Sequence, residues 1–221
     1  RLAFIGEIAA GLAHEIRNPL ASISGSIQML KEDLVRNDTN ARLMQIILRG
    51  KDQLESFLKD FLLMARPASG IREALDVKET IRDVTESLHY IPDWNTMLEV
   101  TMLFTDDPLF VEANRTEIRQ VIWNLILNAV QAMPEGGILR IEAHPAEIEG
   151  RAGMEIRIAD TGCGIRDQDR QRIFEPFYTT RDTGTGLGLA VVNRITVAYR
   201  GRIHMQSEPG KGTVFTIWLP V

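Results

Sequence analysis

The first residues suited to chemistry are His14 and Glu15, in the segment AHEIRNPL (residues 13–20). A helical zinc-protease motif would place a second histidine three positions after the glutamate, so that two imidazoles face one metal ion. Asn18 occupies that position instead, and an amide is a poor zinc ligand. The segment therefore does not predict a zinc site, and His14 needs another explanation.

Two asparagines, Asn124 and Asn128, lie one helical turn apart in the apolar segment NLILNAVQAM. A carboxamide in apolar surroundings is costly unless it has a hydrogen-bond partner. The pair could be satisfied core or capping amides. Alternatively, an asparagine oxygen could bind Mg²⁺, whose octahedral shell is usually shared with water and phosphate oxygens.

An acidic residue, Asp160, ends a predicted strand in IADTGCGI, where it is followed by Gly162 and Gly164. A carboxylate fixed at a strand end can accept a hydrogen bond from an exocyclic amine such as that of adenine. The alternative is a simple Asp-Thr-Gly turn.

Three glycines, Gly184, Gly186 and Gly188, alternate in GTGLGL directly before a predicted helix. Glycines allow close approach of the backbone, and a helix N-terminus offers unpaired N–H groups to a phosphate. A Rossmann fingerprint is excluded by the G-x-G-x-G spacing, and a P-loop by the missing Gly-Lys-Ser/Thr. By contrast, Gly210 and Gly212 favour a hairpin turn over a ligand contact.

The segment between these motifs, IFEPFYTTRDT (residues 173–183), is a polar loop too long for a plain connector. Loops of that length in a compact domain are usually lids or disordered segments. Phe174, Phe177 and Tyr178 could fasten a lid to the body of the domain, or they could only fill a local apolar cluster.

The residues before Pro67 predict the helices that carry His14. Apolar side chains recur at spacings of three, four or seven over residues 5–34 and again over residues 44–65, which indicates two amphipathic helices, the second ended by proline. Their apolar stripes are too long to be covered by one hairpin alone, which favours a homodimeric four-helix bundle. His14 points roughly 170° away from the stripe and faces solvent. Without further motifs, it would be an ordinary surface histidine.

The residues after Pro67 predict shorter elements. We expect helices at residues 78–89, 115–133 and 187–199, and strands at residues 74–77, 98–104, 109–112, 138–143, 154–159, 202–207 and 213–219. Strands mixed with helices without strict alternation predict an α+β domain, a sheet with helices packed on one face.

Composition limits the classes of function. The 221 residues suffice for two modest domains, and the net charge of −5 gives no reason to bind nucleic acid or an anionic membrane. A single cysteine, Cys163, fits a reducing compartment. No apolar run approaches the length of a membrane span, and no signal peptide is visible. We therefore expect a cytoplasmic fragment without membrane contact of its own, whether or not the parent protein is anchored in an inner membrane.

Taken in order, these segments resemble the boxes of a sensor histidine kinase. AHEIRNPL resembles the phospho-acceptor box, NLILNAVQAM the N box, DTGCGI and GTGLGL the two glycine boxes, and IFEPFYTT the F box. The resemblance implies a dimerisation and phospho-acceptor domain at residues 1–67. It also implies an ATP-binding domain at residues 68–221, with the α/β sandwich fold of the GHKL group, shared with Hsp90, MutL and DNA gyrase. The N-terminal segment looks most similar to kinases of nitrogen and pilus regulation.

The resemblance also implies roles. His14 would be phosphorylated by ATP, helped by Glu15, and would pass the phosphoryl group to an aspartate of a response regulator receiver domain. Asn18 would serve a phosphatase reaction on that regulator. Asn128 would hold Mg²⁺, Asp160 would bind adenine, and the remaining nucleotide contacts would come from Asn124, Gly162, Gly164, Thr180, Arg181, Gly184, Thr185, Gly186, Leu187, Gly188 and Thr213.

Two positions depart from the family pattern. Gln131 stands where a basic residue is often found, and Arg181 stands where a lysine often ends the F box. Two other classes of function remain open: a degenerate kinase that acts only as a dimeric scaffold, and an ATPase of the Hsp90 or MutL kind.

Overall fold

The computed structural model describes residues 23, 27, 38–65, 71–88, 97–105, 108–181 and 184–221. The chain divides into two compact units, Arg1–Pro67 and Ala68–Val221. His14, Glu15 and Asn18 lie outside the described residues, as does the first predicted helix apart from Ile23 and Ile27, which are both helical. The bundle expected for this part of the chain therefore stays a prediction.

In the first unit, helix α1 spans Asp38–Ala65 and confirms the second predicted helix. Met44 and Leu58 are buried, whereas Ile47 and Leu54 of the same predicted stripe are 47% and 39% exposed. Across the described ranges, no helix combines the length and apolar character needed to cross a membrane.

The second unit contains the other elements. In chain order they are β1 (Glu73–Asp76), α2 (Val77–Ser87), β2 (Leu98–Phe104), β3 (Phe110–Ala113), α3 (Arg115–Gln131), β4 (Gly137–Ile148), β5 (Arg151–Asp160), α4 (Gly188–Ala198), β6 (Arg202–Glu208) and β7 (Gly212–Pro220). Every predicted strand and helix of this unit is present. β4 and β5 are longer than expected because their pairing continues to a tight hairpin at Glu149 and Gly150, which have φ values of 55° and 75°.

The strands of this unit form two sheets. Five strands follow the order β2-β4-β5-β7-β6, and β1 and β3 form a separate two-stranded sheet. Within the large sheet β2 and β4 are parallel, and the remaining pairs are antiparallel. The expectation of one sheet was therefore wrong for β1 and β3.

Helices α3 and α4 pack against each other and against the large sheet. The buried residues alternate along the strands, as in Leu139 and Ile141 of β4 and Ile156 and Ile158 of β5. The residues between them carry ion pairs, such as Arg157 with Glu142 at 3.5 Å. This alternation gives the large sheet of the α+β unit one apolar face and one charged face. Helix α3 packs on the sheet and carries the candidate site.

Candidate active site

Helix α3 is the element on which the site is assembled. Its N-terminus is capped by Asn114, whose side-chain oxygen accepts hydrogen bonds from the backbone N–H groups of Thr116 and Glu117. Most of its side chains are buried. The two asparagines of the N box lie on this helix and reach two different loops.

Asn124 is buried, and both the oxygen and the nitrogen of its carboxamide have protein partners. Its Oδ1 accepts a hydrogen bond from Gln120 Nε2 at 3.0 Å, and its Nδ2 donates to the backbone oxygen of Gly188 at 3.0 Å. Of the two explanations that the sequence left open, this geometry favours the structural one for Asn124. The side chain fixes the first residue of α4 to the middle of α3.

Asn128, one turn further on, meets the side chain of Arg181. Arg181 Nη1 donates to Asn128 Oδ1 at 3.1 Å, and Nη2 donates to the backbone oxygen of Asn128 at 3.1 Å. Nη1 also donates to Gln131 Oε1 at 2.6 Å. Burial lowers the pKa of Arg181, and nearby Cys163 and Asp160 oppose that shift. The F-box loop thus brings a cation to the end of α3, and the two departures from the family pattern touch each other.

Asp160 lies at the end of β5 and is only 8% exposed. Its Oδ1 accepts hydrogen bonds from the backbone N–H groups of Gly162 at 2.8 Å and Thr213 at 3.2 Å. Its Oδ2 has no hydrogen bond from the part of the chain that the structure describes. Burial raises the pKa of Asp160, and these two N–H groups and Arg181 lower it. One oxygen therefore fixes the carboxylate, and the other can meet a ligand.

The turn after Asp160 packs against the C-terminus of α3. Cys163 N donates to the backbone oxygen of Ala132 at 3.1 Å. A Cβ atom on Gly162 would lie 2.5 Å from that same oxygen, so the close approach requires glycine. Gly164 lies in this turn, beside the hairpin of β6 and β7. The prediction that Gly210 and Gly212 form a hairpin turn is confirmed by the pairing of these two strands.

Two of the three aromatic residues of the F-box loop contact residues outside the loop, Phe174 on the large sheet and Tyr178 on the segment just before the loop. Phe174 packs edge-on against Phe215 of β7, with ring centroids 6.4 Å apart. Tyr178 donates from its hydroxyl to Asp169 at 2.6 Å. Phe177, in contrast, is 59% exposed and has a φ of 66°.

Asp169 is a contributor that the sequence did not indicate. It is 5% exposed and accepts hydrogen bonds from Tyr178 and from Arg166 Nε, the latter at 2.7 Å. The hydrogen bond from Tyr178, followed by that from Arg166, lowers its pKa. Asp169 lies in a run of charged residues that carries no periodic signal, so only the three-dimensional contact reveals it.

The glycine loop ends at the first turn of α4. Gly186 has a φ of 68°, and its backbone oxygen accepts from Phe177 N at 3.0 Å. Leu187 is 1% exposed, so its side chain belongs to the core and only its backbone can face a ligand. Thr185 Oγ1 accepts from Leu187 N at 3.3 Å. Gly184 and Thr180 are exposed.

These contacts bring most of the predicted nucleotide-site residues to one helix. Asn124 holds Gly188, Arg181 reaches Asn128, and the turn after Asp160 rests on Ala132. Thr213 is placed by its hydrogen bond to Asp160. The group of residues combines a fixed carboxylate, a cation on a long arginine side chain and a helix N-terminus. This combination suits a nucleotide, whose base and phosphates lie at different ends.

Two family matches cover most of the chain. Residues 113–221 match the family described as Histidine kinase-, DNA gyrase B-, and HSP90-like ATPase. The fold and the site thus define the second unit as an ATP-binding domain of that class. Residues 4–70 match the His Kinase A (phospho-acceptor) domain. The chain belongs to the sensor histidine kinases of two-component systems.

Individual relatives agree with this assignment. The chain is 35% identical over 223 residues to sensor histidine kinase ZraS of Escherichia coli (strain K12), covering 100% of this chain and 46% of that protein. It is 36% identical over 221 residues to sporulation kinase E of Bacillus subtilis (strain 168), covering 100% of this chain and 29% of that protein. The chain thus spans less than half the length of these curated relatives.

Among solved structures, the chain is similar to full-length ShkA in complex with AMPPNP, with a TM-score of 0.79 and 28% identity. The similarity covers 97% of this chain and 45% of that one. The resemblance of the N-terminal segment to kinases of nitrogen and pilus regulation stays a prediction.

Proposed function

We propose that this chain is the catalytic core of a sensor histidine kinase that transfers the γ-phosphoryl group of ATP to His14. The phosphoryl group then passes to an aspartate of a response regulator receiver domain. The first unit supplies the acceptor and the contacts of a homodimer, and the second unit supplies the nucleotide site. The exposed Ile46, Ile47 and Leu54 of α1 support the dimer, because a second copy would cover them.

One observation carries the proposal for the nucleotide site. Asp160, held at the end of a central strand by two backbone N–H groups on one oxygen, keeps its second oxygen for a ligand. A buried carboxylate fixed in this way suits an exocyclic amine such as that of adenine. Arg181 lies near enough to lower the pKa of Asp160, and we assign its charge to the phosphates of the same nucleotide.

Different residues of the chain bind different parts of the nucleotide. Asp160 accepts from the adenine amine, and the backbone of Gly184, Gly186 and Gly188 lies along the phosphates. The N–H groups at the start of α4 face negative charge. Arg181 neutralises charge on the phosphates, and the F-box loop excludes water. Phosphoryl transfer needs mainly positioning and neutralisation from the protein.

Asn128 fits the role of a Mg²⁺ ligand. Its Oδ1 is a hard oxygen donor that already accepts from a cationic group, Arg181. In the described part of the chain, no cluster of three or more His, Cys, Asp or Glu residues could hold a metal ion. Such a sparse protein contribution suits Mg²⁺, which keeps water and phosphate oxygens as its other ligands. When bound, the ion would neutralise charge on the phosphates.

His14 provides the acceptor nitrogen. A neutral imidazole has a reference pKa of about 6.5, so at pH 7 most molecules carry a lone pair that can attack phosphorus. Glu15, next in sequence, would orient the ring or take its proton. The P–N bond forms as the bond from phosphorus to the bridging oxygen of ADP breaks.

Labelling with γ-³²P-ATP tests the proposal. We expect acid-labile, base-stable label on the wild-type protein and none on His14→Gln, while the affinity for ATP changes by no more than about threefold because His14 lies in the other unit. Unchanged labelling of His14→Gln would reject the assignment. Release of free phosphate without labelled protein would instead indicate an ATPase. The absence of both labelled protein and free phosphate would indicate a scaffold without catalytic activity.

A phosphatase role for Asn18 is a second proposal. In a helix, Asn18 would lie one turn from His14 on the same face, where its amide could orient a water molecule against the phospho-aspartate of a docked regulator. Asn18→Ala should then keep autophosphorylation and phosphotransfer but slow the loss of phosphate from the regulator. If Asn18→Ala loses autophosphorylation as well, the residue instead supports the helix beside Pro19.

A further inference from the structure

The contacts of Arg181 at the end of α3 place its guanidinium on the oxygen that would bind Mg²⁺. Nη1 donates both to Asn128 Oδ1 at 3.1 Å and to Gln131 Oε1 at 2.6 Å, and Nη2 donates to the backbone oxygen of Asn128. Three acceptors from one helix turn thus converge on one cation. This convergence arises only in the folded chain, because Arg181 lies 50 or more positions from Asn128 and Gln131 in sequence.

A guanidinium and a metal ion on Asn128 Oδ1 would be two cations on one oxygen. Mg²⁺ binds oxygen at about 2.1 Å, while Arg181 Nη1 donates to the same oxygen at 3.1 Å, so the two cations would lie close together and repel each other. Arg181 is half-buried, so repulsion between the two cations is screened less than it would be at an exposed site. The contact of Arg181 with Asn128 Oδ1 therefore disfavours metal binding at the same oxygen.

Gln131 makes the shortest of the three contacts. It lies three positions after Asn128 on α3, which puts both side chains on one face. It is also the last residue of α3, where the helix dipole favours a cation. The amide of Gln131 is neutral and can accept from Arg181, whereas a basic side chain at this position would repel it.

We propose that Gln131 is a positioning residue that holds the Arg181 guanidinium on Asn128 and thereby makes Arg181 compete with Mg²⁺ for the asparagine oxygen. Metal binding at Asn128 is then favoured when Arg181 moves away from this oxygen, and Gln131 sets how readily Arg181 moves. This inference rests on the proposed nucleotide site and adds a control on its metal dependence.

The test measures the binding of AMPPNP by calorimetry, with Mg²⁺ and with EDTA. The quantity of interest is the ratio of the Kd in EDTA to the Kd in Mg²⁺, which compares each variant with itself and is insensitive to a partly inactive sample. Gln131→Leu should raise this ratio by about threefold to tenfold, because one charge-assisted hydrogen bond to Arg181 is lost. Gln131→Met should give the same result if the leucine variant folds poorly. An unchanged or lower ratio in the variant that folds would overturn the proposal.

Two controls make the result specific. Gln206→Leu, on an exposed position of β6, should leave the ratio as in wild type. In an Arg181→Met background, Gln131→Leu should have no further effect, since its partner is gone. A rise in the Gln206 control, or an equal rise from Gln131→Leu without Arg181, would overturn the proposal. A wild-type protein that binds AMPPNP in neither condition would instead reject the nucleotide site itself.

Discussion

The two ends of the candidate nucleotide site are built from different kinds of structure. At one end, Asp160 lies on a central strand and is fixed by the backbone of its own turn and of the neighbouring strand β7. At the other end, Arg181 and the glycines lie on a loop whose side-chain contacts include Tyr178 with Asp169 in the preceding segment and Arg181 with Asn128 of α3. The proposed base end is therefore held by backbone hydrogen bonds within the sheet and its turn, and the proposed phosphate end by side-chain contacts of a loop.

The largest effect should come from the rigid end. Asp160→Asn keeps an oxygen for the two N–H donors but replaces the second oxygen with an N–H₂ donor, which cannot accept from adenine. We expect AMPPNP affinity to fall about 10- to 100-fold by calorimetry, the value of a charge-assisted hydrogen bond. Asp83→Asn, at an exposed carboxylate of α2, is the matched control and should bind as wild type. Equal affinities for Asp160→Asn and the control would show that the base end is elsewhere.

A smaller effect is expected at the loop, from Gly186→Ala. Gly186 has a φ of 68°, and a Cβ atom there would lie 2.5 Å from the carbonyl carbon of Phe177. Gly210 has a φ of 78° but nothing within 4 Å, so Gly210→Ala tests the backbone cost alone. Gly210→Ala should lose about 1–2 kcal/mol of stability from the backbone conformation, and Gly186→Ala should lose more because of the clash, measured by thermal unfolding. Only Gly186→Ala should also bind AMPPNP more weakly, by about tenfold, since a clash of this size forces the loop to shift. Equal binding by the two variants would mean that the loop tolerates the shift.

The attachment of the loop can be weakened more gently with Tyr178→Phe. This change removes the hydroxyl that donates to Asp169, and we expect about a threefold loss of AMPPNP affinity with little change in thermal stability. Tyr199→Phe removes a buried hydroxyl that donates to Glu117 away from the loop. It should lower the unfolding temperature and leave the affinity unchanged. The opposite pattern would place the anchor of the loop elsewhere.

The smallest effect concerns the stability of the rigid end. Burial raises the folded-state pKa of Asp160 above its ordinary value of 3.8. The stability that this carboxyl contributes is therefore fully present below pH 3.8 and is lost as the pH rises through the raised folded value. At pH 7, Asp160→Asn should unfold at a slightly higher temperature than wild type, and the difference should shrink towards pH 4. A variant that is less stable than wild type at pH 7 would show that the carboxylate supports the fold.

The sequence predicted the rigid end better than the loop. The apolar alternation of residues 154–159 identified β5, and the acidic residue after it identified the carboxylate. The Asn124 contact to Gly188 and the Asp169 contact to Tyr178 depend on side chains that meet only in the folded chain, the first across 64 positions. Local patterns carry no information on such pairs. For the same reason, the periodicity predicted β1 and β3 but not their separate sheet.

Helix α3 likewise has some features that the sequence predicts and others that it does not. Its length and apolar character follow from residues 115–131, although the prediction extended it two residues too far. The different roles of its asparagines do not follow from spacing, since both occupy equivalent positions in an apolar helix. Their partners, Gly188 for Asn124 and Arg181 for Asn128, separate them.

The order of the strands in the large sheet has a consequence for biosynthesis. β7 follows β6 in the chain but lies between β5 and β6, and its second residue, Thr213, donates to Asp160. Before the ribosome has produced β7, β5 can already pair with β4. The carboxylate of Asp160, at the end of β5, then has only the backbone N–H of Gly162 as a hydrogen-bond partner. The proposed base end is completed only after β7 has emerged and entered the sheet between β5 and β6.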